Sequence, residues 1–205
     1  MRSAAILAGG KASRFDGRDK SALVVEGRSI LDRQLAEIST VADDIMVVGG
    51  ASDRLDHLRG SADQAARPRA VADIVRGGGP LGGLHAALSA ARADTVFVVA
   101  CDMPYVRAAF VEYLFSLAGE RAIVVPRTDR GYHPLCAVYS RACLEPIAAR
   151  IAERRLTLRE LVDDLPVRVV GAAEIARFGA PSHLLANVNT PAEYAGLEAI
   201  QGHKL

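Results

Sequence analysis

A polar loop near the start of the chain is the first segment whose residue types point to chemistry. It spans residues 7–20 and has the sequence LAGGKASRFDGRDK. Gly9 and Gly10 carry no Cβ atom, so their backbone N–H groups can approach a phosphate closely. The loop also carries three cations that can offset the charge of a triphosphate, Lys11, Arg14 and Lys20. Its spacing matches neither the P-loop nor the Gly-x-Gly-x-x-Gly fingerprint. It therefore predicts a phosphate site of another type, with a plain strand-to-helix connection as the alternative.

A second candidate is Asp102, which directly follows the most apolar run of the sequence, residues 95–101. This run shows no alternation of apolar and polar residues, so it predicts a strand that is covered on both faces, at the centre of a sheet. In open α/β sheets the ligand crevice lies beyond the carboxyl ends of the strands. Asp102 is therefore placed to bind a metal ion, and a turn or helix cap is the alternative.

The elements that must position these residues alternate along the chain. Short β-rich runs predict strands at 3–8, 44–48, 69–72, 95–100, 122–126, 135–139 and 167–170. Helical periodicity predicts helices at 30–38, after Pro80 and near 141–154, with a further helix and loop within 51–69. This alternation is typical of a three-layer α/β/α domain of Rossmann-like type with a mostly parallel sheet. No linker or repeat divides the sequence, so we expect a single domain over residues 1–205.

Composition limits the classes of function. The chain has 205 residues, 25 Lys and Arg against 24 Asp and Glu, and 50% of its residues are hydrophobic. It is long enough to bury a sizeable core, and its near-zero net charge argues against a protein that coats nucleic acid or an anionic membrane surface. Its apolar runs are too short to span a bilayer. Three cysteines and a start without secretory character predict a cytoplasmic location.

Five motifs carry a resemblance to a known family. They are the loop 7–20, Gly79-Pro-Leu-Gly-Gly83, Cys101-Asp-Met-Pro-Tyr105, His133-Pro134 and Asn187-Val-Asn-Thr-Pro191. In this order and at these separations the sequence resembles the molybdenum cofactor guanylyltransferases of the nucleotidyltransferase superfamily. The resemblance implies transfer of GMP from GTP to the phosphate of molybdopterin, with release of pyrophosphate and with Mg²⁺ as cofactor. It also implies protein partners, such as other cofactor-biosynthesis proteins or molybdoenzyme chaperones.

The resemblance further assigns roles to individual residues. Lys20 would stabilise the charge that develops on the α-phosphate and the leaving pyrophosphate, Arg14 would assist it, and Asp102 would bind the metal. The implied ligand contacts are those of Leu7, Ala8, Gly9, Gly10, Lys20, Gly50, Asp73, Pro80, Leu81, Gly82, Asp102, Asn187 and Asn189. Residues 1–110 would then form the nucleotide-binding half and residues 111–205 the acceptor-binding half.

Several assignments stay open at this point. His133 has a structural or an acceptor-binding role, and the asparagines at 187–189 are turn formers or ligands. The first loop and the Gly-Pro-Leu motif favour GTP, with cytidylyl transfer or another small phosphorylated acceptor as the alternative. The chain departs from the family pattern at Phe15-Asp16, and also at Gly49-Gly50, where relatives often carry an asparagine. Cys101 is expected to be a small buried hydrophobe.

Overall fold

The computed structural model describes residues 1–9, 23–49, 68–75, 77–119 and 121–188 of the chain. Within these ranges the strands are β1 (Ser3–Leu7), β2 (Val24–Val25), β3 (Arg28–Ser29), β4 (Asp44–Val48), β5 (Arg69–Val71), β6 (Thr95–Ala100), β7 (Ile123–Thr128), β8 (Gly131–Tyr132), β9 (Cys136–Ser140) and β10 (Val167–Val170). The α-helices are α1 (Ile30–Ile38), α2 (Gly79–Ala90), α3 (Ala108–Ser116), α4 (Leu144–Ala152), α5 (Leu158–Asp164), α6 (Ala172–Ile175) and α7 (Pro181–Leu184).

The main sheet is mostly parallel, as the sequence predicted. In the described part of the chain its strands pair in the order β10-β7-β9-β6-β1-β4-β5, and β8 pairs with β7. Strand β9 runs antiparallel to both of its neighbours, β6 and β7, whereas the other neighbouring pairs along this order are parallel. Strand β6 lies between β9 and β1, so the most apolar run of the sequence is an interior strand.

Helices cover both faces of the sheet, which gives the predicted three layers. On one face α1 and α3 pack together with Ile6 and Phe97. On the other face α2, α4 and α5 pack together with Leu7 and Val98. Successive residues of a strand point to opposite faces, which explains why neighbours such as Ile6 and Leu7 belong to different clusters.

Helix α1 begins where its sequence supplies a cap. The Ser29 hydroxyl oxygen accepts a hydrogen bond from the Asp32 amide at 3.0 Å, and the hydroxyl donates to the Asp32 carboxylate at 2.7 Å. Serine satisfies a free amide of the first turn in this way, and it is a preferred residue at this position. The β2–β3 hairpin ends at this cap residue, because Ser29 is the last residue of β3.

The structure differs from the predicted elements in several places. The sequence pattern does not predict α3, because this helix is mostly apolar and Arg107 gives its start no side-chain cap. It also misses α5, α6 and α7, which are short, and the two-residue strands β2, β3 and β8. The helix predicted near 141–154 is shorter, since Arg141–Cys143 forms a 3₁₀ turn before α4. The strand predicted at 3–8 ends at Leu7. The helix predicted within 51–69 lies outside the described residues.

Candidate functional site

The carboxyl ends of four parallel strands lie side by side at one edge of the sheet, which we call the carboxyl edge. Leu7 of β1 pairs in register with Val48 of β4 and with Ala100 of β6. Val48 in turn pairs with Val71 of β5. The residues that follow these strand ends are therefore neighbours in space, although they come from distant parts of the sequence.

Gly9 and Gly49 meet at the carboxyl edge in a backbone contact that leaves no room for a side chain at Gly49. Gly49 has a φ of +74°, and a Cβ atom added there would lie 2.9 Å from the Gly9 Cα atom. The Ala8 amide donates to the Val48 carbonyl at 2.8 Å. The Gly49 amide donates to the Val71 carbonyl at 3.1 Å. Two strand ends are thus held close enough to require glycine at position 49, the first residue of the Gly49-Gly50 departure, whereas Gly50 lies outside the described residues.

Asp73 follows β5 and is exposed at the same edge. Its Oδ1 atom accepts a hydrogen bond from the Val75 amide at 3.2 Å, which shapes the turn that leads into the glycine-rich segment. A Cβ atom at Gly82 would lie 3.3 Å from this oxygen. The absence of a side chain at Gly82 therefore lets α2 begin beside the Asp73 turn.

The other predicted ligand contacts in this region differ in their exposure. Pro80 is exposed in the first turn of α2, where its fixed φ suits the start of a helix. Leu81 has no exposed surface and packs in the core with Leu7, which is 7% exposed. Gly82 is buried as well. Burial favours a packing role for these two leucines, and their contact with a nucleotide stays a prediction.

Asp102 lies in a tight turn directly after β6 and is half-buried. The Met103 amide closes this turn on the Ala100 carbonyl at 3.3 Å. The Cys101 amide donates to the Leu7 carbonyl at 3.1 Å, which ties the turn to the end of β1. The structure thus places Asp102 at the carboxyl edge, in the position that the sequence predicted.

A segment from the far end of the described chain joins the Asp102 turn. The Val188 amide donates to the Asp102 carbonyl at 2.8 Å. Val188 itself is buried against Val25, Ile30 and Tyr105. Its neighbour Asn187 is exposed, so this hydrogen bond brings the predicted asparagine motif to the predicted metal ligand.

Gln34 of α1 also contacts the Asp102 turn, and the sequence prediction missed it. It is 1% exposed. Its Nε2 atom donates to the Ala100 carbonyl at 2.7 Å and to the Met103 carbonyl at 3.0 Å. The available signal was a polar residue on the apolar face of a helix, one turn from Ile30 and from Ile38.

His133 lies between β8 and β9, close to the carboxyl end of β7. Its amide donates to the Pro126 carbonyl at 2.8 Å, and its Nε2 atom is 2.9 Å from the Thr128 hydroxyl. Burial, followed by the charge of Arg130, lowers the pKa of the half-buried imidazole. These contacts support a structural role in closing the hairpin, and an acceptor-binding role stays a prediction.

Two of the three cysteines, Cys136 and Cys143, show no sign of thiol chemistry. Neither forms a disulfide bond. Burial raises the pKa of Cys136 to about 12 and that of Cys143 to about 11, so both thiols stay protonated at neutral pH. Cys101 packs against the core but is only half-buried, less than the sequence led us to expect. Within the described ranges no three His, Cys, Asp or Glu side chains gather as a metal site.

A polar groove of about 390 Å³ lies to one side of the carboxyl edge. The β2–β3 hairpin, α1, residues 104–107 and His183 line it. Several of its side chains already have partners, because Arg33 pairs with Glu26 at 2.8 Å and Tyr105 stacks on His183 at a ring distance of 3.8 Å. Of the predicted site residues that the structure describes, none lines this groove.

Several predicted site residues lie outside the described residues. They are Gly10, Lys11, Arg14, Lys20, Gly50 and Asn189, together with the departure at Phe15-Asp16. The structure therefore positions the strand ends and the two motifs around Asp102 and Asn187, and the assignment of the cations stays a prediction.

Comparisons with known proteins identify the family of the chain. The family model described as MobA-like NTP transferase domain matches residues 4–169. The molybdenum cofactor guanylyltransferase of Desulfosudis oleivorans is 32% identical over 195 residues, which are 95% of this chain and 93% of the relative.

Solved structures show the same fold. Molybdopterin-guanine dinucleotide biosynthesis protein A from Archaeoglobus fulgidus superposes with a TM-score of 0.79 at 22% identity, covering 98% of this chain and 99% of that one. A Mycobacterium tuberculosis protein solved in complex with manganese has a TM-score of 0.63 at 20% identity, covering 96% of each chain. Among the described residues, the helices are too short or too polar to span a membrane.

The family model and the relative both match this chain over most of its length. The chain therefore belongs to the MobA-like NTP transferase domain family of nucleotidyltransferases.

Proposed function

We propose that this chain is a molybdenum cofactor guanylyltransferase, which transfers GMP from GTP to the phosphate of molybdopterin and releases pyrophosphate. The relative from Desulfosudis oleivorans is named as a molybdenum cofactor guanylyltransferase. The observation that carries the proposal is the register of the four parallel strands. It gathers Gly9, Gly49, Asp73 and Asp102 at one edge, where open α/β sheets bind their ligands.

The reaction does not require a covalent intermediate on the protein. A phosphate oxygen of the acceptor forms a bond to the α-phosphorus of GTP, while the bond from the α-phosphorus to the bridging oxygen of pyrophosphate breaks. The attacking phosphate is already an anion, so no side chain has to remove a proton from it. Catalysis then consists of alignment and stabilisation of charge.

Asp102 is the residue that would hold a magnesium ion. Mg²⁺ prefers hard oxygen ligands and commonly takes one or two protein carboxylates, with phosphate oxygens and waters in the other positions. A half-buried carboxylate on a hydrogen-bonded turn at the carboxyl edge suits this chemistry. Bound there, the ion would neutralise charge on the phosphates during transfer.

The other roles follow the order of the motifs. Gly9 is exposed beside Gly49, and we assign the backbone of residues 7–10 to the triphosphate, with Lys20 and Arg14 as its cations. Asp73 and the start of α2 would face the nucleoside, and Asn187 would reach the metal or a phosphate. Residues 1–110 then serve the nucleotide and residues 111–205 the acceptor.

The proposal also includes a cellular location and protein partners. We propose the cytoplasm as the location, with molybdopterin arriving from other cofactor-biosynthesis proteins and the product passing to molybdoenzyme chaperones. Copurification with the tagged chain from a molybdoenzyme-producing host would identify such proteins.

Product analysis tests the proposed reaction directly. The purified chain is incubated with molybdopterin, Mg²⁺ and either GTP or CTP, and the products are identified by mass spectrometry. We expect the guanine dinucleotide of the cofactor and an equal amount of pyrophosphate. A cytosine dinucleotide from CTP, without product from GTP, would overturn the choice of base. No dinucleotide with either nucleotide would overturn the reaction.

A further inference from the structure

Gln34 is a buried amide on α1 whose hydrogen bonds end on the turn that carries Asp102. The Nε2 group donates both of its protons, one to the Ala100 carbonyl at 2.7 Å and one to the Met103 carbonyl at 3.0 Å. The opposite orientation of the amide would place Oε1 against two carbonyl oxygens, which are acceptors as well. The donor orientation is therefore the one that the surroundings permit.

The position of Gln34 in its helix does not by itself call for a polar residue. Ile30, Leu31 and Ile38 form the rest of the buried face of α1, and a buried amide is costly unless its polar atoms are paired. The Oε1 atom of Gln34 has no hydrogen-bond partner among the described residues. What the amide contributes here is the pair of bonds to the turn.

These bonds complete a set of contacts that fixes the backbone around Asp102. The Val188 amide holds the Asp102 carbonyl at 2.8 Å. Arg33, the neighbour of Gln34, donates from Nε to the Pro104 carbonyl at 3.1 Å. The turn is thus held by α1 and by the segment at Val188. Helix α1 contacts the residues on both sides of Asp102, at Ala100 and at Met103.

We infer that Gln34 is a positioning residue for Asp102, which sets the direction of the metal-binding carboxylate by fixing the carbonyls on either side of it. The inference rests on the metal role of Asp102 in the proposed function. Residues that hold a metal ligand in place commonly change metal affinity by about 10- to 100-fold when they are replaced. Gln34 would act through Asp102 and would not touch the substrate itself.

The test measures metal binding apart from turnover. Mn²⁺ is titrated in the presence of a GTP analogue with a methylene bridge between the α and β phosphorus atoms, and free Mn²⁺ is followed by electron paramagnetic resonance. Gln34→Met keeps the length of the side chain and removes both donors, and we expect about a tenfold loss of Mn²⁺ affinity. Ile38→Ala is the matched control, since Ile38 is equally buried on the same helix face. It should lower the melting temperature and leave the Mn²⁺ affinity unchanged.

The outcomes separate this inference from the proposed function. Asp102→Asn should weaken Mn²⁺ binding more than Gln34→Met does. If Asp102→Asn binds Mn²⁺ like the parent chain, the metal role and the inference both fail. If Asp102→Asn weakens binding but folded Gln34→Met does not, the inference alone fails. Should Gln34→Met not fold, Gln34→Asn takes its place, because it keeps the amide on a shorter chain: weaker Mn²⁺ binding supports the inference and unchanged binding overturns it.

Discussion

The two edges of the sheet place aspartates in opposite settings. At the amino edge, Asp44 begins β4 and is 4% exposed. Its carboxylate accepts hydrogen bonds from the Ser3 hydroxyl at 2.7 Å, from the Arg92 amide at 3.0 Å and from two N–H groups of Arg69 at 2.8 and 3.1 Å. At the carboxyl edge, Asp73 is exposed, and its Oδ1 atom accepts a hydrogen bond from the amide of a nearby turn.

The contrast shows how one residue type serves stability at one edge and ligand binding at the other. Burial would raise the pKa of Asp44, but the donors of Arg69, Arg92 and Ser3 outweigh it and hold the pKa at about 2. A carboxylate that already accepts hydrogen bonds from all of these donors is not available to bind a ligand. Glycines such as Gly9 lie at the strand ends of the carboxyl edge instead, so the backbone there and the Asp73 carboxylate stay accessible to a ligand.

The largest effect on stability should come from Asp44. Asp44→Ala removes the acceptor of the Ser3 hydroxyl and the carboxylate partner of Arg69, whose guanidinium keeps its hydrogen bond to the Ala90 carbonyl. We expect the free energy of unfolding to fall by about 3 kcal/mol. Asp43→Ala is the control, because Asp43 is exposed and its carboxylate accepts a hydrogen bond from the Arg2 amide. Its cost should stay below about 1 kcal/mol. Denaturant unfolding of both variants measures the difference, and equal costs would contradict the contrast between the edges.

The glycine contact at the carboxyl edge should show a slightly smaller effect. Gly49→Ala forces a left-handed φ on alanine and pushes its Cβ atom to 2.9 Å from Gly9, with an expected cost of about 2 to 3 kcal/mol and weaker GTP binding. Gly27 has a similar φ of +77° but no atom within 4 Å of an added Cβ. Gly27→Ala should therefore cost about 1 kcal/mol and leave GTP binding intact. Thermal unfolding and a GTP titration compare the two, and equal results would show that the close approach does not matter.

Lowering the pH should remove the stabilisation that Asp44 provides at the amino edge, with a still smaller change in the free energy of unfolding. The pKa of Asp44 is lowered to about 2 in the folded chain, so the unfolded chain binds this proton first as the pH falls. The contribution of Asp44 is then fully present above about pH 4 and disappears as the pH approaches 2, with a total of about 2 kcal/mol. The difference in unfolding free energy between the parent chain and Asp44→Asn should shrink over this window. A difference that does not change with pH would contradict this account.

The sequence predicts most of the sheet, because buried strands appear as apolar runs such as residues 95–100. It predicts the carboxyl-edge position of Asp102 for the same reason. It does not reveal α3, because the segment is apolar at several positions that are not buried as well as at its buried ones, and its start lacks a side-chain cap. Nor does it reveal Gln34, whose partners are two backbone carbonyls far along the chain that carry no sequence signal.

Two other features also depend on distant contacts. The need for glycine at position 49 arises from Gly9, which a pattern of spacings does not place beside it. The pairing of Asp44 with Arg69 and Arg92 depends on strand order, and a sequence reveals this order only through a resemblance. Local pattern therefore predicts the elements, and the contacts between their ends require the fold.

The central claim is that Asp102, at the carboxyl end of β6, serves catalysis. Asp94 lies just before the amino end of the same strand and is its matched control, with a side chain that is 95% exposed and 3.5 Å from Arg141. Pyrophosphate release from GTP and molybdopterin is measured for Asp102→Asn and Asp94→Asn alongside their melting temperatures. We expect Asp102→Asn to lose at least about 100-fold in rate while it stays folded, and Asp94→Asn to keep the parent rate. An Asp102→Asn chain that is as active as the parent would contradict the account.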